Sequence, residues 1–145
     1  MKLSVQEVRA TGMSLLAVAS SLLFAVGCGN SSAIDKVVVS GVVTLDGQPI
    51  SNGEIRFIPT SGTIGPVSGG AIKDGAYTAQ AKGGVPIGTH QVEIKAYRAN
   101  PKSKTASAEG GAAEQFLDAR YNAQTTLTAT IEPDTETKDF QLTSK

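Results

Sequence analysis

Cysteine occurs once in the 145 residues, histidine once and tryptophan never. A single cysteine excludes an internal disulfide framework and any metal cluster built from several thiolates. With one histidine, no second imidazole can join it in a metal site, which needs three or four convergent ligands. No tryptophan and three tyrosines leave the chain poorly equipped to stack on sugar rings. Basic and acidic side chains number 13 each, so the positive stripe of a nucleic-acid binder is missing and that class of partner drops out. Three motifs are absent as well. No GxSxG elbow occurs, no alternating acidic run of a calcium loop, and the glycine-rich stretch 65–73 ("GPVSGGAIK") lacks the Gly-Lys-Ser/Thr ending of a phosphate loop.

What the chain does hold is glycine and proline, 16 and 6 residues, against 18% charged side chains. That balance suits a turn-rich β protein of one domain better than a helical bundle. The first segment stands apart. Residues 1–12 carry Lys2 and Arg9 against Glu7, and residues 13–27 ("MSLLAVASSLLFAVG") are apolar, small-residue-rich and uncharged. At ~1.5 Å per residue that run falls short of a ~30 Å hydrocarbon core. A basic start, a short apolar stretch and small residues at its end describe an export signal that is removed. The alternatives are a buried core helix or a slightly short membrane anchor.

Cys28 follows directly. Alone, it is open to four readings: a buried thiol, a nucleophile, half of an intermolecular disulfide or a processing site. Its flanks favour the last, because "FAVGCGN" resembles the lipobox of bacterial lipoproteins, with Ala25 where such motifs favour Leu. The resemblance implies cleavage between Gly27 and Cys28, a diacylglycerol on the Cys28 thiol, and acylation of the new amino terminus by a chain such as palmitate. A thiolate is the best nucleophile available to take up a lipid. At ~0.8 kcal/mol per buried CH₂, several chains on one residue anchor a protein where one does not. Gly29 stands where an acidic residue can signal inner-membrane retention, which implies the outer membrane of a bacterial cell envelope, facing the periplasm or the exterior. Removing residues 1–27 leaves 118 residues with 11 basic and 12 acidic side chains. The expected organisation is a signal peptide, 1–27, a lipidated terminus and polar tether, 28–35, and a domain, 36–145.

From Lys36 the hydrophobic period becomes 2. "KVVVSGVVTL" predicts a strand covered on both faces, and "DGQP" predicts a turn. Ile55 and Phe57 point inward in "GEIRFIP". A short strand around "GGAIK", after a loop at 60–70, leads through "KDG" into "AYTAQA", with Tyr77, Ala79 and Ala81 on one face. "KGGVPIG" reads as a loop and "THQVEIKAYR" as the clearest strand, with Val92, Ile94 and Ala96 inward. Residues 99–115 lack periodicity and read as a mobile, solvated loop. "FLDARYN" is a helical turn or an extended stretch. "TTLTATI" and "KDFQLTS" supply the last strands, with Leu127, Ala129, Ile131, Phe140 and Leu142 inward. The expected fold is all-β, a single seven-stranded antiparallel Greek-key sandwich without a strong helix.

The order of these blocks resembles the carboxypeptidase regulatory-like, or transthyretin-like, β-sandwich of small bacterial lipoproteins over about residues 37–144. The resemblance rests on the first strand–Asp-Gly–strand block, on Asp74, Gly75 and Tyr77 of the hairpin, and on Pro86, Gly88 and His90 leading into the long strand. It implies a structural or interaction module without catalytic residues or cofactor, whose partner is an envelope protein or polymer. Docking through a Thr-rich face or an open sheet edge would make the chain an accessory subunit of a larger assembly. Transthyretin-like hydrolases of a purine-catabolic intermediate carry several histidines and a carboxy-terminal Tyr-Arg-Gly-Ser. One histidine and a final "QLTSK" argue against that activity here.

The remaining candidates have bland explanations. His90 shares the parity of Val92 and Ile94 and is expected to pack at the rim of the core. Asp46 and Asp74 sit in Asp-Gly turns, where their carboxylates accept nearby backbone N–H bonds. The 65–73 glycines read as a flexible connection. Tyr121 is expected to bury its ring and bond its hydroxyl to distant backbone, as a corner staple.

Overall fold

The structure, a computed structural model, describes residues 33–60, 62–99 and 113–144. From Ala33 onward the chain forms one compact unit. Strands are β1 (Lys36–Val37), β2 (Val39–Leu45), β3 (Gln48–Pro49), β4 (Asn52–Pro59), β5 (Ser68–Lys73) and β6 (Ala76–Ala79). They continue with β7 (Val85–Pro86), β8 (Gly88–Ala99), β9 (Ala113–Gln115), β10 (Thr128–Ile131) and β11 (Phe140–Leu142). Two 3₁₀ turns, Ala81–Gly83 and Ala119–Tyr121, are the helical elements among the described residues.

The expected all-β class holds, and alternation set the pleat. Gly53, Ile55 and Phe57 of β4 are buried, as are His90, Val92, Ile94 and Ala96 of β8, and the two strands pair with Ile55 opposite Ile94 and Phe57 opposite Val92. Seven strands form one continuous sheet in the order β10-β8-β4-β5-β6-β2-β11, with β3 added to β2 and β9 to β8, while β1 pairs separately with β7. The sheet curls until its arms face one another. Phe57 on β4 lies 6.2 Å from both Tyr77 on β6 and Phe140 on β11, ring centre to ring centre. Val39, Val43, Ile72 and Ile131 complete a core in which each is fully enclosed. Burying a side chain of this size contributes ~1.5–3 kcal/mol.

Both Asp-Gly turns are of the hairpin type whose two central residues have positive φ. Asp46 and Gly47 have φ of 51° and 80°, and Asp74 and Gly75 have 49° and 84°. Several expectations need correction. The last strand runs parallel to β2, Phe140 opposite Val43 and Leu142 opposite Leu45, so the sheet is not purely antiparallel. The outer face of the expected strand "KVVVSGVVTL" is not covered, since Val38, just before β2, is 48% and Val42, on β2, 43% exposed. Ala81 leaves the inward face because the chain turns into 3₁₀ geometry after Ala79. Within the expected loop "KGGVPIG", Val85 and Pro86 are buried, and they pair with β1.

Within the 65–73 stretch, Ser68–Lys73 is strand β5, in line with the strand expected around "GGAIK", so Gly69 and Gly70 do not form a flexible connection. Ser68 is buried and its hydroxyl donates to the Ala81 carbonyl at 2.8 Å. A Cβ on Gly69 would stand 2.1 Å from the Ile55 carbonyl oxygen, and one on Gly70 would stand 2.1 Å from that of Thr78. Neighbouring backbone therefore occupies the space a side chain would need, on both sides of β5.

Candidate functional site

Gly27 and Cys28, the residues singled out for processing and lipidation, lie outside the described residues, as do the signal segment and most of the 99–115 stretch. What is visible is how the chain that follows them joins the domain. The Asp35 carbonyl accepts the Ile87 N–H at 3.1 Å, Lys36 and Val37 pair with Pro86 and Val85, and the Lys36 ammonium donates to the Lys82 carbonyl at 2.8 Å. The segment leading from Cys28 is thus fastened to one end of the sheet within a few residues of Ala33.

A groove of about 570 Å³ lies at the other end. Leu45, Pro49 and Ile50, around the first Asp-Gly turn, form one wall; Tyr97 and Ala99 of β8, with Ala113 and Phe116, form the other. Polar atoms sit at its margins. The Arg98 guanidinium lies 5.4 Å from the centre of the Phe116 ring and 3.6 Å from a Glu114 carboxylate oxygen, and the Tyr97 hydroxyl stands 3.5 Å from Glu54. An apolar floor with a charged margin accepts an apolar group by burial and orients it by polar contacts. A nucleophile needs a base within hydrogen-bond reach. The only histidine is not among the groove's lining residues.

His90 lies near the opposite end of β8 from Tyr97, fully enclosed and not at the rim. Its Nδ1 is 3.1 Å from the Gly88 carbonyl, its ring meets Phe57 edge-on at 6.2 Å, and Nε2 is buried without a partner. Burial holds its pKa below the ordinary imidazole value, against the opposing pull of the Gly88 bond. A neutral, packed ring is the outcome, as expected of a lone histidine on this parity. Among the described residues no group of three or more His, Cys, Asp and Glu is placed to hold a metal ion.

The other sequence candidates are structural ties. Tyr121 is the staple anticipated, its hydroxyl meeting the backbone of Thr143. Asp46 departs from expectation, because its carboxylate accepts the N–H of distant Ser144 at 3.0 Å, and hydrogen bonding from the Ser144 side chain, with that backbone bond, lowers its pKa. Sequence reasoning missed a second staple, the Tyr77 hydroxyl donating to the Lys138 carbonyl at 2.7 Å, with burial raising the phenol's pKa strongly. The inward parity of Tyr77 was the available signal. Also missed was an outer-face charge network in which Glu93 meets Arg56 at 3.2 Å and Lys95 at 2.9 Å, with Lys95 reaching Glu54 at 3.5 Å.

No protein-family model matches the chain, and no curated protein or solved structure matches it either. Among the described residues no helix is long and apolar enough to cross a membrane.

Proposed function

We propose that the protein is a non-catalytic, lipid-anchored module of the bacterial cell envelope, a transthyretin-like Greek-key β-sandwich held to a membrane by acylated Cys28. The observation that carries this reading is the sequence "FAVGCGN" closing a short apolar segment, with an all-β domain beginning a few residues later. Supporting it, the tether joins β7 and Ile87 just before β8 begins, and the apolar groove opens where β8 ends. The run of β8 from Gly88 to Tyr97–Ala99, at ~3.3 Å per residue, separates the two by roughly 30–36 Å. A domain fastened in this way displays the groove away from the bilayer, where an apolar group of an envelope protein or polymer would be its occupant.

Growth with an inhibitor of signal peptidase II is expected to leave the uncleaved precursor. Cys28→Ala is expected to abolish incorporation of labelled fatty acid and to release the chain from membranes. Persistent labelling and membrane retention of Cys28→Ala would overturn the anchoring.

A further inference from the structure

The end of the sheet that receives the tether carries two exposed apolar side chains. Ile64 is 77% and Ile34 41% exposed. They belong to adjoining segments, since the backbone at Gly65 packs against Pro86, and a Cβ there would stand 3.5 Å from Ile34. The loop that presents Ile64 is held firmly. The Thr63 hydroxyl donates to the Thr89 carbonyl at 3.0 Å and accepts the Thr89 N–H at 2.8 Å, and Thr60 N–H donates to the same carbonyl at 2.9 Å. An isoleucine this exposed on a fixed loop contributes little to the domain's own core, yet it needs no reordering to enter an apolar phase.

Its position identifies that phase. Ile34 is six residues from Cys28, a span of at most about 20 Å, and the loop bearing Ile64 touches it. We propose that this end of the domain, led by Ile64 and Ile34, lies against the lipid surface to which Cys28 is anchored, with both isoleucines entering the interfacial region. The inference rests on the anchoring proposed above. The charges nearby select the lipid. Lys36, Lys82 and Lys138 belong to this end, but so do Asp35 and the acidic residues Glu132, Asp134 and Glu136, which share a segment with Lys138 after β10, where Ile131 pairs with Gly88. Four acids against three bases leave no positive surplus, which fits a zwitterionic headgroup layer and opposes an anionic one.

The chain has no tryptophan, so one introduced indole reports alone. Full-length Ile64→Trp, and Lys73→Trp at the far end of the sheet, are produced with their signal segments, purified from membranes and reconstituted into phosphatidylcholine vesicles containing brominated acyl chains. Both variants are expected to float with the vesicles. The indole of Ile64→Trp is expected to emit at shorter wavelength than in water and to lose most of its emission to bromine, while that of Lys73→Trp keeps water-like, unquenched emission. Replacing part of the phosphatidylcholine by phosphatidylglycerol is expected to weaken the quenching in Ile64→Trp, and stronger quenching would overturn the lipid preference. Flotation of both variants with water-like emission from Ile64→Trp would overturn the apposition and leave the anchoring intact. Failure of both to float would overturn the anchoring and the apposition with it.

Discussion

Tyr121 and Thr143 exchange hydrogen bonds: the phenol donates to the Thr143 carbonyl at 2.9 Å and accepts the Thr143 N–H at 3.0 Å. The Arg120 guanidinium donates to the same carbonyl and lies 4.9 Å from the Tyr121 ring. The end of β11 is therefore tied to the 3₁₀ turn at Ala119–Tyr121. Tyr121→Phe removes two bonds worth about 1 kcal/mol each in net stability. A loss of about 1–2 kcal/mol is expected, read as a lower denaturant midpoint at unchanged slope, with faster hydrogen exchange at Leu142. An unchanged midpoint would show that the staple contributes nothing.

His90 makes stability depend on pH in a known direction. Its folded pKa lies below the ordinary value of 6.5 because of burial, and its cross-strand neighbours are Pro59 and Ala129, neither of them charged. As pH falls through about 6.5 the unfolded chain binds the proton first. Stability is then complete above that pH and declines below it, by no more than about 1.4 kcal/mol per pH unit, levelling once the folded pKa is passed. Denaturant midpoints for the wild type between about pH 7.5 and pH 5 should show this slope, and His90→Gln should flatten it. An equal slope in both proteins would place its origin elsewhere.

Gly69 and Gly47 should respond differently to alanine. Around a Gly47 Cβ nothing lies within 4 Å, so Gly47→Ala meets only the strain of its φ of 80°, about 1–2 kcal/mol. Gly69→Ala places a methyl 2.1 Å from the Ile55 carbonyl oxygen, and a loss of about 3 kcal/mol or more is expected because backbone on both strands must move. Equal midpoints for the two variants would contradict the close approach of β4 to β5.

Phe57 and Ile64 are the apolar extremes. Phe57→Ala empties the contact between the two arms of the sheet and should cost about 3–5 kcal/mol. Ile64→Ala removes an exposed group and should stay within about 0.5 kcal/mol of wild type. Thermal or urea unfolding of the two variants tests this pair.

Much of this was legible in the chain because it is local. Alternation in "THQVEIKAYR" placed Val92, Ile94 and Ala96 inward, and the two Asp-Gly pairs marked hairpins through their tolerance of positive φ. What escaped is non-local. Two residues have no period, so nothing marked Val85 and Pro86 as the partner of Lys36 and Val37. The direction of β11 depends on which strand it joins, which its own residues do not encode. Glycines that read as loose are dense in space, because their missing side chains admit neighbouring backbone at Gly69 and Gly70. The groove is assembled from three separated segments, around Leu45–Ile50, Tyr97–Ala99 and Ala113–Phe116, and no single window of sequence contains it.

The parallel pairing of β11 with β2 also governs when the fold can close. Val42 N–H donates to the Asp139 carboxylate across 97 positions of chain, and the strands beside it meet at the same separation. Contacts that distant make folding slow, since the intervening loop must be ordered before they form. A chain emerging amino-terminus first from a ribosome would hold β2 with that side open until Phe140–Leu142 has followed. The arrival of β11 then closes that side of the sheet, and truncation before Phe140 should leave a species that exposes β2 to other chains.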